Sequence, residues 1–210
     1  TLASLIPRFY DATAGTVLVD GLDVREYTFD ALYNKLGYVT QKAVLFSGTV
    51  EDNVFFGQSA AEKTDASLQA ALSLSQAAEF VDKYPEKAAH PIAQLGRNVS
   101  GGQKQRLSIA RALARKPEIL VFDDSFSALD YRTDAALREG LAKELPDTTK
   151  VIVAQRISTI RHADQILVLD RGLAVGLGTH DELMRSCDVY REIALSQLSA
   201  AELAEGGKTE

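Results

Sequence analysis

The sequence lacks several features that define whole classes of protein. It contains one cysteine, Cys187, so no disulfide can form within the chain, which is typical of a reducing compartment. No apolar run approaches the roughly 18 residues of a membrane span, and the first residues do not resemble a secretory signal peptide. Acidic residues (29) outnumber Lys and Arg (23), without any basic block, which argues against a nucleic-acid-binding surface. The three histidines have no metal-ligand spacing.

What remains is the composition of an ordinary globular protein, with 210 residues, 46% of them hydrophobic and 25% charged. A chain of this length can bury a substantial core, either as one large domain or as a domain with an inserted lobe. The chain begins at Thr1, without an initiator Met, inside a predicted amphipathic helix. We therefore expect its natural N-terminus to lie upstream.

Short apolar runs alternate with helical patterns along most of the chain, which predicts an α/β fold with a mostly parallel sheet flanked by helices. An alanine-rich helical stretch, residues 48–84, predicts an inserted helical lobe, and the Asp20-Gly21 pair predicts an antiparallel hairpin. The predicted strands and helices of the core are Thr16–Asp20, Leu36–Thr40, Gly101–Lys116, Ile119–Asp123, Arg132–Glu144, Lys150–Ala154, Gln165–Asp170 and Leu173–Gly176.

These patterns divide the chain into four parts. Residues 1–47 form the first part of the core, and residues 48–98 form the helical subdomain. Residues 99–204 complete the core, and the polar residues 205–210 are expected to be a disordered tail.

Two adjacent carboxylates, Asp123 and Asp124, follow the apolar run Ile119–Phe122 within the stretch EILVFDDSFSALD, residues 118–130. An apolar run without polar alternation is typical of a strand buried on both faces of a parallel sheet. Such a strand ends at the edge where open α/β sheets bind ligands. Two carboxylates there are costly unless a cation or a reaction uses them. The alternative is a strand that ends in a solvated acidic turn.

A second motif, NVSGGQKQR at residues 98–106, begins a predicted helix. Unpaired backbone N–H groups and the positive end of the helix dipole face outward at such a start. The two glycines would let an anion approach the backbone closely, which predicts a phosphate site. The alternative is that Ser100 only caps the helix.

Together, SGGQKQRLSIARAL and ILVFDDSFSALD resemble the signature motif, Walker B strand and D-loop of the ATP-binding cassette (ABC) family. Further segments resemble other parts of exporter-type members: residues 38–49 the Q-loop region, residues 153–172 the switch-loop region, and residues 178–184 the turn and helix that follow it. The resemblance implies a P-loop NTPase-like fold, ATP and Mg²⁺ as cofactors, and a place at the cytoplasmic face of the cell membrane. It also implies a transmembrane domain upstream in the same chain and a second ABC half-transporter subunit in a head-to-tail dimer.

The resemblance also implies roles for individual residues. Asp123 would hold Mg²⁺ through its water shell, and Gln41 would contact the metal and water. The family's Walker A loop is absent from the sequence, so Thr1 would be its last remnant, and a chain without that loop should bind ATP poorly and be inactive by itself. The residues expected to serve the nucleotide of the opposite subunit, or to cross that interface, are Ser100, Gly101, Gly102, Gln103, Ser127 and Asp130.

Two departures from the family pattern affect the catalytic positions. Asp124 stands where hydrolytic sites usually carry Glu, and Gln155 stands where the switch loop usually has His. Aspartate is one methylene shorter, and a displacement of about 1 Å can cost roughly a hundredfold in rate. Glutamine cannot be protonated. Since the SGGQ motif is intact, the chain resembles the slow, degenerate-site subunit of bacterial heterodimeric multidrug exporters, which implies that it serves the efflux of a small hydrophobic substrate.

Two other functions stay open at this point. The first alternative is a non-hydrolytic, ATP-binding regulatory subunit, which Asp124 and Gln155 partly favour. The second is a soluble ABC ATPase of translation or DNA repair. The 59 positions from Gln41 to Ser100 leave no room for the long coiled coil of the repair class. The sequence assigns no role to residues 93–97. Phe46, Phe55 and Phe56 are expected to pack the helical lobe or, alternatively, to line a groove for helices of the membrane domain.

Overall fold

The computed structural model describes residues 2–58 and 63–197 of the 210. The chain divides into two compact units, Thr1–Val153 and Ala154–Glu210, which are described separately. The strands are β1 Leu18–Val19, β2 Leu22–Asp23, β3 Leu36–Val39, β4 Gly48–Thr49, β5 Pro91–Ile92, β6 Ile119–Asp123, β7 Thr149–Val153, β8 Ile166–Asp170 and β9 Leu173–Gly178. The helices are α1 Phe29–Lys35, α2 Val50–Val54, α3 Asp65–Leu74, α4 Ala78–Val81, α5 Gly101–Ala114, α6 Tyr131–Glu144, α7 Ile157–Ile160, α8 His180–Ser186 and α9 Asp188–Gln197.

A parallel sheet in the order β3-β6-β7 forms the centre of the first unit and confirms the predicted α/β fold. The register pairs Tyr38 with Val121 and Asp123 with Val153. Leu120, Val121 and Phe122 have no exposed surface, as expected for a strand covered on both faces. The sheet therefore delivers the end of β6, with its carboxylates, to the edge where β3 and β7 also end.

The helical part of the first unit packs on this core through α5. Helices α2 and α3 both contact α5, and the apolar core runs from Val50 and Leu72 through Leu107 to Phe122. Capping boxes begin α2 at Thr49 and α3 at Thr64, where each threonine hydroxyl accepts a backbone N–H. Local capping chemistry thus sets where these helices begin.

A short antiparallel ladder in this part of the chain was not predicted. β4 pairs with β5 through Gly48 opposite Ile92 and Thr49 opposite Pro91, and β4 lies at the start of the stretch predicted to be helical. Two-residue strands are too short to produce a period-2 pattern in the sequence. The Asp20-Gly21 hairpin is confirmed, with β1 and β2 antiparallel around a left-handed Gly21.

Residues 2–10 are helical over a single turn only, which is shorter than the predicted helix. Leu2–Leu5 form a single 3-10 turn, and Arg8 has a left-handed φ of 57° directly after Pro7. Proline removes a backbone donor, and a left-handed residue cannot continue a right-handed helix, so the helical pattern ends within one turn.

The second unit consists of the α7 turn, the antiparallel β8-β9 hairpin and helices α8 and α9 around its own small core. His180 Nδ1 lies 2.8 Å from the hydroxyl of Tyr190, which joins α8 to α9. The helical pattern of the sequence predicts a last helix over Val189–Leu203, and the structure has α9 as Asp188–Gln197. The rest of the predicted helix and the tail 205–210 lie outside the described residues. Within the described ranges, no helix is both long and apolar enough to cross a membrane.

Candidate functional site

The two carboxylates lie at the carboxyl end of the parallel sheet. Asp123 is the last residue of β6, and Asp124 turns the chain out of the strand with a left-handed backbone (φ 50°, ψ 27°). Its N–H donates to the Val153 carbonyl at 3.0 Å, and its carbonyl accepts the Ser127 hydroxyl at 2.7 Å. Asp and Asn are among the few residues that adopt this conformation readily. The bend is therefore fixed on both sides, and Asp124 is buried.

Each carboxylate accepts a hydrogen bond from the segment that contains and follows β3. The Tyr38 hydroxyl donates to Asp123 Oδ2 at 2.8 Å, and Gln41 Nε2 donates to Asp124 Oδ2 at 2.9 Å. The buried Gln105 of α5 donates to the Thr40 carbonyl at 3.2 Å and so holds the chain between these two donors. Of the predicted site residues, the structure thus brings Gln41, Asp123 and Asp124 together.

The sequence reasoning did not assign a role to Tyr38. Parallel strands lie about 4.8 Å apart and rise about 3.3 Å per residue, so a diagonal neighbour two positions ahead is about 8 Å away. Tyr38 is opposite Val121, so Asp123 is that neighbour, on the same face. A tyrosine can span this distance, but the contact could be found only once the strand register was known.

The donor set at this edge fits a hard cation. Carboxylate oxygens and the amide oxygen of Gln41 are the ligand types that Mg²⁺ prefers, and Mg²⁺ usually keeps several waters and takes only one or two protein carboxylates. Among the described residues, no group of three or more His, Cys, Asp or Glu side chains is arranged to bind a metal ion. The edge thus suits a hydrated ion that shares its ligands with a bound phosphate.

The glycine-rich motif begins α5 as predicted. Ser100 caps the helix: its hydroxyl accepts the Gln103 N–H at 3.2 Å, and Gln103 Oε1 accepts the Ser100 N–H at 2.8 Å. A Cβ on Gly101 would meet nothing within 4 Å, so the backbone there is open to an approaching group. A Cβ on Gly102 would lie 3.5 Å from the Ala128 carbonyl, so the motif adjoins the turn that follows Asp124.

Arg106 anchors this helix start to the helical part of the unit. Its guanidinium donates to the Gln76 carbonyl at 3.0 Å and to Glu79 at 2.9 Å, and it lies 4.8 Å from the centre of the Phe80 ring. A charged side chain held by three different groups has little freedom to move. Arg106 therefore ties the first half of α5 to the segment that contains α4.

The remaining predicted site residues have separate surroundings. Asp130 is exposed and caps α6, where hydrogen bonds from the Thr133 backbone N–H and hydroxyl lower the pKa of Asp130. Gln155 is exposed at the start of the second unit, and its backbone carbonyl accepts a bond from Gln197 Nε2 at 2.9 Å. Thr1 lies outside the described residues.

An aromatic platform, formed by Phe46 and Phe56, lies on the surface of the first unit. The two rings stack at 4.3 Å and are 43% and 52% exposed, whereas Phe55 is buried. The Arg111 guanidinium lies 5.3 and 5.6 Å from the two ring centres. It donates to the carbonyls of Asn53 at 2.7 Å and Val44 at 3.0 Å, and burial lowers the pKa of Arg111. Phe55 therefore packs inside the helical lobe as expected, whereas Phe46 and Phe56 are exposed.

Comparisons with known proteins agree with this geometry. Residues 1–127 match the family model described as ABC transporter. The chain is 48% identical over 202 residues to an uncharacterised ABC transporter ATP-binding protein of Mycobacterium tuberculosis, which covers 96% of this chain and 34% of that protein. It is 42% identical over 196 residues to a Bacillus subtilis protein described as a candidate multidrug export ATP-binding/permease protein, which covers 92% of this chain and 33% of that protein.

A solved structure shares the fold as well. The ATP-bound structure of a bacterial Atm1-family ABC exporter superposes with a TM-score of 0.88 at 36% identity, and the match covers 93% of this chain and 34% of the other. The chain thus spans about a third of the length of the relatives that it matches.

The family match reaches from the start of the chain to Ser127, and so includes the glycine-rich motif and both carboxylates. On these grounds the chain belongs to the ABC transporter family, as a nucleotide-binding domain homologous to those of exporters.

Proposed function

We propose that this chain is the ATP-hydrolysing module of an ABC exporter and that its own nucleotide site is the slow one of a heterodimer. The observation that carries the proposal is the contact between Gln41 and Asp124 at 2.9 Å. Asp124 stands at the position that resembles the family's catalytic glutamate, and this bond holds its short carboxylate back at the end of the sheet. The exporter assignment is supported by the relatives, one of which is described as a multidrug export protein with a permease part.

Residues at the edge of the sheet would act on the chain's own nucleotide. A bound Mg²⁺ supplies positive charge to the phosphate oxygens during transfer. Asp123 would hold the metal's water shell, and the amide oxygen of Gln41 would be a further ligand. Asp124 would orient the attacking water from more than 1 Å farther away than a glutamate would, and a displacement of about 1 Å can reduce the rate roughly a hundredfold.

From the family resemblance we assign Gln155 to the same nucleotide. Glutamine can donate a hydrogen bond to a phosphate oxygen, but it cannot carry the positive charge of a protonated histidine. Two weakened contributions to one reaction support slow turnover. They also support a second candidate, a subunit that binds ATP for regulation without hydrolysing it.

The intact signature motif supports a second role, at the partner's nucleotide. Ser100 uses its oxygen lone pairs to cap α5, and its hydroxyl proton can still be donated to a phosphate. The open backbone at Gly101 and the dipole of the 14-residue α5 favour an anion at the same place. Gly102 and Gln103 shape this turn, and Asp130 would lie at the same subunit interface. A competent partner site would thus be completed by this chain.

We further propose that the missing phosphate-binding loop and the membrane domain come from sequence outside these 210 residues, so that the chain alone is inactive. The share of the relatives covered, about a third, supports this. The aromatic platform would receive a helix of the membrane domain, because two stacked and exposed rings beside the Arg111 guanidinium offer apolar area. This assembly would lie at the cytoplasmic face of the membrane and move a small hydrophobic substrate.

Restoring the usual residues tests the slow-site proposal. In the full-length gene product with its partner subunit, Asp124→Glu combined with Gln155→His should raise ATP turnover at this chain's site roughly a hundredfold, since about 1 Å of displacement is removed. Nucleotide trapping at each site would measure this. No gain at this site would contradict the slow-site assignment and favour the regulatory subunit.

A comparison of two single variants tests the role of the signature motif. Ser100→Arg should lower the ATPase activity of the complex more than Asp124→Asn does, because it damages the partner's competent site. Thr64→Arg, which removes the matching helix cap of α3 outside the signature motif, is the control. Equal losses in the two variants would indicate a symmetric homodimer instead.

A further inference from the structure

The contact between Tyr38 and Asp123 has no role in the function proposed above. We propose that Tyr38 is a positioning residue that holds the carboxylate of Asp123 in the orientation in which it binds the hydrated Mg²⁺ of the nucleotide. This inference rests on the proposed role of Asp123 as the metal carboxylate.

The geometry of the contact is that of a strong hydrogen bond. The Tyr38 hydroxyl lies 2.8 Å from Asp123 Oδ2, within the usual range for O–H to oxygen bonds. Bonds that a hydroxyl donates to a carboxylate are among the stronger ones in proteins. A carboxylate held in this way loses rotational freedom before the metal arrives, so less entropy is lost on binding.

The ring of Tyr38 is itself held in place. Phe9 contacts it edge to face, with ring centres 5.1 Å apart and planes at 68°, and the side chain is half-buried. Its backbone lies in β3, hydrogen-bonded to the buried strand β6. The hydroxyl therefore reaches Asp123 from a side chain that both its ring contact and its strand hold in place.

Tyr38 and Gln41 each hold one of the two adjacent carboxylates: Tyr38 donates to Asp123, and Gln41 donates to Asp124. Both donors belong to one stretch of four residues, and Gln105 holds that stretch through the Thr40 carbonyl. The exposed Gln41 follows the strand, whereas Tyr38 is within it. A movement of the loop would thus release Asp124 while Asp123 stayed in place.

Partners that hold a metal ligand in place typically contribute 10- to 100-fold to metal affinity. Tyr38→Phe removes only the hydroxyl and keeps the ring against Phe9. In the full-length gene product with its partner subunit, it should raise the Mg²⁺ concentration for half-maximal ATP binding about tenfold. Calorimetric titration with ATP at a series of Mg²⁺ concentrations measures this shift independently of turnover.

Tyr27→Phe is the matched control. Tyr27 is also half-buried, and its hydroxyl donates to the backbone carbonyl of Val19 at 3.0 Å rather than to a carboxylate. Both variants lose one tyrosine hydrogen bond, so their thermal midpoints should fall by similar amounts, but Tyr27→Phe should leave the Mg²⁺ dependence within about twofold of wild type. An equal Mg²⁺ dependence in the two variants would overturn the inference.

Two further variants make the result decisive. If Asp123→Asn shifts the Mg²⁺ dependence strongly and Tyr38→Phe does not, the inference fails and the proposed function stands. If Asp123→Asn does not shift it either, the metal role of Asp123 fails. Should Tyr38→Phe not fold, Phe9→Leu loosens the ring without removing the hydroxyl: a shift in the same direction supports the inference, and an unchanged Mg²⁺ dependence overturns it.

Discussion

The buried hydroxyl of Ser125 should make this chain less stable than its alanine variant. Ser125 directly follows Asp124, and it has no exposed surface. Within the described part of the chain, its Oγ has no hydrogen-bond partner. A hydroxyl taken from water without a new partner is a net cost to folding.

The size of the effect follows from what the substitution removes. Burying an unsatisfied polar group costs about 1–3 kcal/mol. Ser125→Ala removes that cost and leaves a gap of only one atom, so the free energy of unfolding should rise by about 1–2 kcal/mol. For a chain of this size, each kcal/mol corresponds to about 2–4 °C, which predicts a midpoint higher by roughly 2–8 °C.

Urea denaturation of the 210-residue chain is a suitable assay, because the midpoint and the slope separate stability from a change in the unfolded state. Ser75→Ala is the matched control. Ser75 is equally buried, but its hydroxyl donates to the Leu72 carbonyl at 3.1 Å, so its loss should lower stability by about 1 kcal/mol. Opposite signs for the two variants are the expected result. A Ser125→Ala variant that loses stability as Ser75→Ala does would refute the reasoning.

Two further predictions concern pH and buried charge. Burial, with Arg161 and His162 nearby, lowers the pKa of His180 against the opposing effect of Asp181. The stability that neutral His180 contributes should be complete above pH ~6.5, the pKa of an unfolded histidine, and be lost as pH falls through the lower pKa of the folded state. Urea midpoints should therefore fall as pH is lowered through this range. An equal fall in His180→Gln would contradict the prediction. Arg111→Met leaves two carbonyls without their donor and should cost about 2–3 kcal/mol by urea denaturation. Arg115→Met is the control, because its bonds of 3.3 and 3.4 Å are long, and an equal loss would disprove the argument.

The parts of the fold that depend on local chemistry could be predicted from the sequence. Four apolar residues before Asp123 predicted the buried strand β6, and Ser100 before two glycines predicted the start of α5 at Gly101. In both cases the determining residues are neighbours in the chain. The parallel sheet also followed, because strands that alternate with helices must be joined by crossovers.

The parts that depend on register could not be predicted. The β4-β5 ladder joins residues more than 40 positions apart through two-residue strands. The contact of Tyr38 with Asp123 needs two strands aligned in one particular way, since a shift of one residue would turn the ring to the opposite face. Gln41 was expected at the site, but its bond to Asp124 required the left-handed turn after β6, which nothing in the sequence signals.

That left-handed turn also limits how this site can change over evolution. A glutamate at position 124 would have to adopt φ near 50°, a conformation that costs longer side chains on the order of 1 kcal/mol. Aspartate is tolerated there, as is asparagine, so single substitutions between these two are structurally cheap. A return to glutamate would carry that cost in stability, which is small beside the gain in rate expected from the longer carboxylate. The turn thus slows a return to glutamate without preventing it.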